Sequence, residues 1–171
     1  MPVHHERQAK SLCAVHAINS LLQGRVVTQA TLDAICLELN PSTVLNPHRS
    51  MLGRGDYDVN VVQVALERNR CSARWVNNGK PMAPIIEAGM ATAQFVGILV
   101  NVRRWRVPLW ESRHWFAIVV DNDTIYNCDS MLAQPTPFAS RPALFAFLQD
   151  AVANNDGHLF IVERIPPPDH H

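Results

Sequence analysis

Helical spacing of apolar residues dominates the first part of the chain, and alternation dominates the rest. Leu12, Val15, Asn19 and Leu22 mark one face of a helix expected from about Leu12 to Gln23, capped by Ser11 and stopped at Gly24. Leu32, Ile35, Cys36 and Leu39 predict a second helix from about Gln29, ended by Asn40-Pro41. Pro41 to Tyr57 reads as a loop. Asp58 is positioned to cap a third helix to about Asn69 that buries Val59, Val62 and Leu66. From there the period is mostly two. Cys71 to Val76 predicts a strand closed by Asn77-Asn78-Gly79, Met82 to Ala93 is ambiguous with a short helix as one reading, and Phe95 to Asn101 predicts a buried strand. Arg103 to Ser112 reads as a loop with Trp105 and Trp110 exposed. His114–Asp121 and Thr124–Asp129 form a hairpin about Asn122-Asp123. A helix from Ser140 to Asn154 and a strand from His158 to Ile165 complete the pattern, which as a whole is α+β.

With 171 residues and 47% apolar content the chain fits one domain with a sizeable core. Its formal net charge is zero, which gives no signal for nucleic acid or an anionic membrane. No apolar run approaches the roughly 20 residues of a membrane span, and no signal-peptide core is expected at the N-terminus. Cys13, Cys36, Cys71 and Cys128 contain no Cys-x-x-Cys pair, against a zinc ribbon or a thioredoxin-type site. Free thiols in a reducing, cytoplasmic setting are expected, with no metal or cofactor.

Candidate chemistry starts at Cys13, in the first turn of the first helix. The helix dipole there favours negative charge and eases loss of the thiol proton. His114 opens the apolar strand His114-Trp115-Phe116-Ala117-Ile118-Val119-Val120. If Asn122 and Asp123 form a two-residue loop, Asp121 pairs with Thr124 and Phe116 falls opposite Asp129. His114 and Asp129 then become diagonal neighbours on one face, roughly 7–8 Å apart at the backbone. That is within reach of an imidazole–carboxylate hydrogen bond, and it leaves Cys128 on the opposite face, in the core. The order Cys, His, Asp is that of papain-like cysteine proteases. Gln8, five residues before Cys13, could donate to an oxyanion together with the Cys13 backbone N–H. Blander readings exist for each: Cys13 as a small core residue, His114 as a strand-end histidine, Asp129 as a turn residue and Gln8 as surface. His16 could pair with Cys13, His4 or His5 around a metal, but no second ligand pair follows at a standard spacing.

The segments His5-Glu6-Arg7-Gln8, Leu12-Cys13-Ala14-Val15-His16-Ala17-Ile18-Asn19, His114-Trp115 and Tyr126-Asn127-Cys128-Asp129-Ser130 resemble the Josephin domain. Asn46 to Gly53 and Tyr57 to Val61 are similar to its small stand-alone members. The resemblance runs from about His5 to Ile165 and implies a papain-like fold, with N-terminal helices and a helical arm (about Val26–Tyr57) beside an antiparallel sheet. It implies a cysteine-dependent deubiquitinase: Cys13 as nucleophile, His114 as base, Asp129 as its orienter and Gln8 as oxyanion donor. Ubiquitin or its conjugates would be the partner of a chain taken as a monomer, with Trp115, Arg49 and Arg54 as substrate contacts. The alternatives are a catalytically weak ubiquitin-binding module and a papain-like hydrolase acting on another peptide or ubiquitin-like protein.

Overall fold

The computed structural model describes residues 2–7, 12–41, 57–76, 78–107 and 110–167, without the side chains of 105–107, 110 and 111. These residues form α1 (Cys13–Leu21), α2 (Gln29–Leu39), α3 (Val59–Arg68), β1 (Cys71–Trp75), α4 (Met82–Met90), β2 (Phe95–Val107), β3 (Trp110–Asp121), β4 (Thr124–Asn127), β5 (Thr136–Pro137), α5 (Arg141–Asn154) and β6 (His158–Arg164). The strands make one antiparallel sheet in the order β1-β6-β2-β3-β4-β5. Alternation along β3 divides its side chains between two cores. Trp115, Ala117 and Val119 join the cluster built with α1, α2 and α3. Phe116 and Ile118 join the cluster that includes Ile86 of α4 and Leu144 and Leu148 of α5. The result is a sheet covered by helices on both faces.

Caps explain the helix limits. Thr28 accepts from the Thr31 backbone N–H while the Thr31 hydroxyl accepts from that of Thr28, a reciprocal start for α2. Asp58 takes the N–H groups of Asn60 and Val61 at the start of α3, and Ser140 takes that of Ala143 at the start of α5. Helix α3 buries Val61, Val62, Ala65 and Leu66, whereas Val59, expected inside, stands partly exposed at its first turn. Leu39 is likewise exposed at the end of α2.

Helix α1 departs furthest from the pattern reading. Every residue from Cys13 to Leu21 is buried, because the helix lies between the sheet and α3 rather than on the surface. Its polar stripe of His16, Asn19 and Ser20 is buried as well, so polarity does not mark a solvent face. Ile18 and Leu21 are fully buried, each contributing about 1.5–3 kcal/mol of transfer free energy. Its N-cap position is Leu12, with no side-chain cap, and Ser11 lies outside the described residues. At the other end Gln23, not Gly24, takes the left-handed backbone, φ 56°. Its side chain donates to the Ser20 carbonyl and accepts from the His4 N–H at 2.8 Å, contacts that glycine could not make. Buried Asn19 then folds the chain back: its Oδ1 accepts from the N–H groups of Val26 and Val27, both at 3.0 Å.

The Arg103–Ser112 loop reading is corrected. Strands β2 and β3 continue through it, pairing Arg103 with Arg113, Arg104 with Ser112 and Val107 with Trp110. Polar side chains here conceal strand backbone, because this end of the hairpin runs beyond the apolar pairs that fill the core. The side chains of Trp105 and Trp110 are not among those described.

Candidate active site

The hairpin fixes the most telling geometry. Asn122 and Asp123 are both left-handed (φ 46° and 65°), the pattern of a two-residue type I′ turn, and Asp121 pairs with Thr124. The ladder runs to Ile118 opposite Asn127, and the Cys128 N–H then reaches the Ala117 carbonyl at 2.9 Å. Beyond it the chain turns on itself: Asn127 Oδ1 accepts the Asp129 N–H, and Asp129 Oδ1 accepts the Met131 N–H. This turn aims the Asp129 carboxylate at His114, whose Nε2 donates to Oδ1 at 2.8 Å. Both residues are buried, and the His114 ring stacks on Phe116 at 6.0 Å. Burial pushes the Asp129 carboxyl up. The His114 hydrogen bond and charge, the Met131 N–H and the Arg104 guanidinium outweigh that and hold it below the usual carboxylate range. Cys128, on the opposite side, is core as expected, and desolvation pushes its thiol up to about 12.

Cys13 is the first residue of α1 and is buried where that helix packs on β3. The N-terminal segment ties this helix to the Asp129 turn. Glu6 Oε2 accepts from His16 Nδ1 at 2.7 Å, and both its oxygens accept from Asn19 Nδ2 at 3.2 Å. One residue earlier, His5 Nε2 donates to the Asp129 carbonyl at 3.0 Å. His4 adds a hydrogen bond to Glu6 at 3.3 Å and Arg25 an ion pair at 3.4 Å. Burial raises the Glu6 carboxyl, but the hydrogen bonds from His16, Asn19 and His4 prevail and lower it overall. His4 and His16, weighed above as metal ligands, therefore both turn to one carboxylate. Among the described residues no cluster of three metal-ligating side chains occurs.

Trp115 is almost fully buried. Its indole N–H donates to the Tyr57 carbonyl at 2.9 Å and its ring lies 5.8 Å from Phe160. It forms part of the wall of a hollow of about 290 Å³ that Val59, Asn101, Arg113 and His158 also line. Tyr57 donates its hydroxyl to Asp33 at 2.7 Å, and Leu32, Ile35 and Cys36 sit in the same core cluster as α1. The described part of the expected arm is thus seated on the core. Gln8, Arg49 and Arg54 lie outside the described residues.

Glu6 and Arg104 were given no role from the sequence, and His5 only that of a possible metal ligand. Their partners lie far along the chain, and no local period signals them. The strand parity of Arg104, two residues beyond the partner of His114, was the one available cue.

The family model for Josephin matches residues 8–163. The chain belongs to the Josephin family. Human Josephin-2 is 38% identical over 157 residues, covering 88% of this chain and 80% of the relative. A Josephin-like protein of Drosophila melanogaster is 34% identical over 167 residues, 94% of this chain and 73% of the relative. A Josephin-like protein of Arabidopsis thaliana is 35% identical over 159 residues, although the match covers 43% of that longer protein. Membership places this Josephin among ubiquitin-related proteases of mixed α+β fold. No helix among its described residues is long and apolar enough to cross a membrane.

Proposed function

We propose that this Josephin is a thiol-dependent deubiquitinase that hydrolyses the peptide or isopeptide bond after the C-terminal glycine of ubiquitin. The observation that carries the reading is the buried 2.8 Å bond between His114 Nε2 and Asp129 Oδ1, on the strand against which the helix that begins at Cys13 packs. With Nε2 committed to the carboxylate, Nδ1 is the ring nitrogen left for the thiol. It takes the proton of Cys13, whose thiolate is favoured by the helix N-terminus. The thiolate attacks the glycine carbonyl, and the C–N bond breaks as His114 returns the proton to the departing lysine amine. A water deprotonated by His114 then attacks the thioester, frees the carboxylate and restores the thiol. The Gln8 side chain and the Cys13 backbone N–H are assigned to the oxyanion in both steps. Asp129 keeps the imidazole in the required tautomer and stabilises its charged form. Trp115, Arg49 and Arg54 are assigned to substrate contact.

The test is hydrolysis of a ubiquitin C-terminal fluorogenic amide by wild type, Cys13→Ala and His114→Ala. Turnover by wild type and loss of turnover in both variants, with thermal midpoints retained, supports the reading. A folded Cys13→Ala protein that cleaves at the wild-type rate overturns it. Binding of ubiquitin without cleavage by wild type would favour the binding-module alternative.

A further inference from the structure

Asp129 has a second partner that the proposed mechanism does not use. Arg104, on the extended part of β2, donates from Nη2 to Asp129 Oδ2 at 3.1 Å, and its Nη1 faces the Met131 sulfur. The two carboxylate oxygens are therefore divided: Oδ1 takes His114 and the Met131 N–H, and Oδ2 takes Arg104. The placement follows from register. Val102 pairs with His114 and Arg104 with Ser112, so Arg104 stands on the same face as His114 and one step further from the core. A hollow of about 330 Å³ opens beside it, lined in part by Arg103, Phe116, Leu132, Asp150 and Asn155. Among the described residues, the charged and titratable groups around Asp129 are His114 from β3, Arg104 and Arg103 from β2, Asp150 from α5, and His5, which binds the Asp129 carbonyl. Arg103 is itself engaged by Asp156 at 2.9 Å. Among the described residues, Arg104 brings the guanidinium that touches the carboxylate.

We propose that Arg104 is a positioning residue: it fixes the plane of the Asp129 carboxylate and sets how much of its negative charge reaches His114. This rests on the reading of His114 and Asp129 as a catalytic pair. A carboxylate shared with a guanidinium is a weaker acceptor toward the imidazole than one left to itself, and it cannot swing about its Cβ–Cγ bond. The same cation is a liability if the carboxylate becomes an amide. In Asp129→Asn, Arg104 loses its counter-charge and stands one side chain away from an imidazolium that must form during catalysis. Arg104 is about one-third exposed, so its influence is modest and water screens part of it.

The experiment combines a mutant cycle with a spectroscopic signature. Arg104→Met should lower kcat by about two- to fivefold, the scale of a part-exposed ion pair, with KM unchanged. Arg104→Lys should recover part of that loss. In the Asp129→Asn background the sign reverses, and adding Arg104→Met should raise kcat above that of Asp129→Asn alone. Independently of turnover, the proton on His114 Nε2 should move downfield in the NMR spectrum of Arg104→Met, because its acceptor carries more charge. Circular dichroism and thermal midpoints establish that each variant is folded. Additive kcat effects together with an unmoved Nε2 proton would overturn the role of Arg104. If wild type hydrolyses no ubiquitin amide, the proposed function fails, and the proton signal still decides this inference: a shift supports it and no shift refutes it.

Discussion

Removing the Glu6 carboxylate should cost more stability than its place near the chain terminus suggests. Glu6→Ala deletes the acceptor used by His16, Asn19, His4 and Arg25. The last two matter little, because Arg25 is largely exposed and His4 is partly so. Asn19 keeps the Val27 carbonyl and its two backbone donors. The cost falls on His16, a buried ring on α1 whose Nε2 already has no partner among the described residues. Losing the 2.7 Å bond at Nδ1 leaves that ring without a described hydrogen bond. A buried polar group stripped of its partner costs about 1–3 kcal/mol, so a loss of about 2–3 kcal/mol is expected. For a chain of this length that corresponds to a fall in Tm of about 5–10 °C. The pH dependence has a definite sign. A carboxyl lowered by folding stabilises the native state above its unfolded value of about 4.3, and the contribution is lost as pH falls through the folded value. The gap between wild type and Glu6→Ala should therefore be full at pH 6 and narrow below about pH 4. Urea unfolding followed by tryptophan fluorescence measures it. A loss under about 0.5 kcal/mol, or a gap that stays constant into the acid range, would refute the argument.

Three further outcomes are expected. Limited alkylation at pH 7.5 should mark Cys13 well before Cys128, whose thiol is pushed up to about 12, and before Cys71, which burial also raises; peptide mapping that finds Cys128 labelled first would contradict the site assignment. Asp129→Ala should lower kcat by about 10²- to 10⁴-fold and Asp129→Asn by less, since an amide oxygen can still accept from Nε2; equal losses in the two variants would count against an orienting hydrogen bond. Charge reversal at Arg49 or Arg54 should raise KM for ubiquitin substrates and leave a short diglycine-ended peptide little affected. Equal losses on both substrates would remove the case for contact there.

Local chemistry carried much of the fold and of the candidate site. The Asn122-Asp123 turn admits a two-residue loop, and that loop alone sets the register that brings His114 toward Asp129. The count fails only in its last step. The ladder ends at Asn127, so the final approach comes from the Asn127–Asp129–Met131 turn and not from strand pairing. The limits of helix α2 were legible from its apolar spacing and the Asn40-Pro41 stop; the Thr28 cap emerged only in the structure. Helix α1 was legible as a helix but not as a buried one, because burial on all sides depends on elements far along the chain. The same limit hides the N-terminal segment. Glu6 meets His16 and Asn19 of α1, and His5 meets Asp129 more than a hundred residues away. No spacing rule reaches across that distance. Arg104 was hidden by its setting, in a polar run that reads as loop until the pairing with β3 is seen.

The most direct test of the central claim is covalent capture with ubiquitin bearing a C-terminal electrophile. Intact mass and peptide mapping after incubation should show one ubiquitin added at Cys13 of the wild-type Josephin. Cys13→Ala should give no adduct, and His114→Ala should react far more slowly. An inert wild type, or an adduct at Cys36, Cys71 or Cys128, would contradict the assignment of Cys13 as the nucleophile of a deubiquitinase.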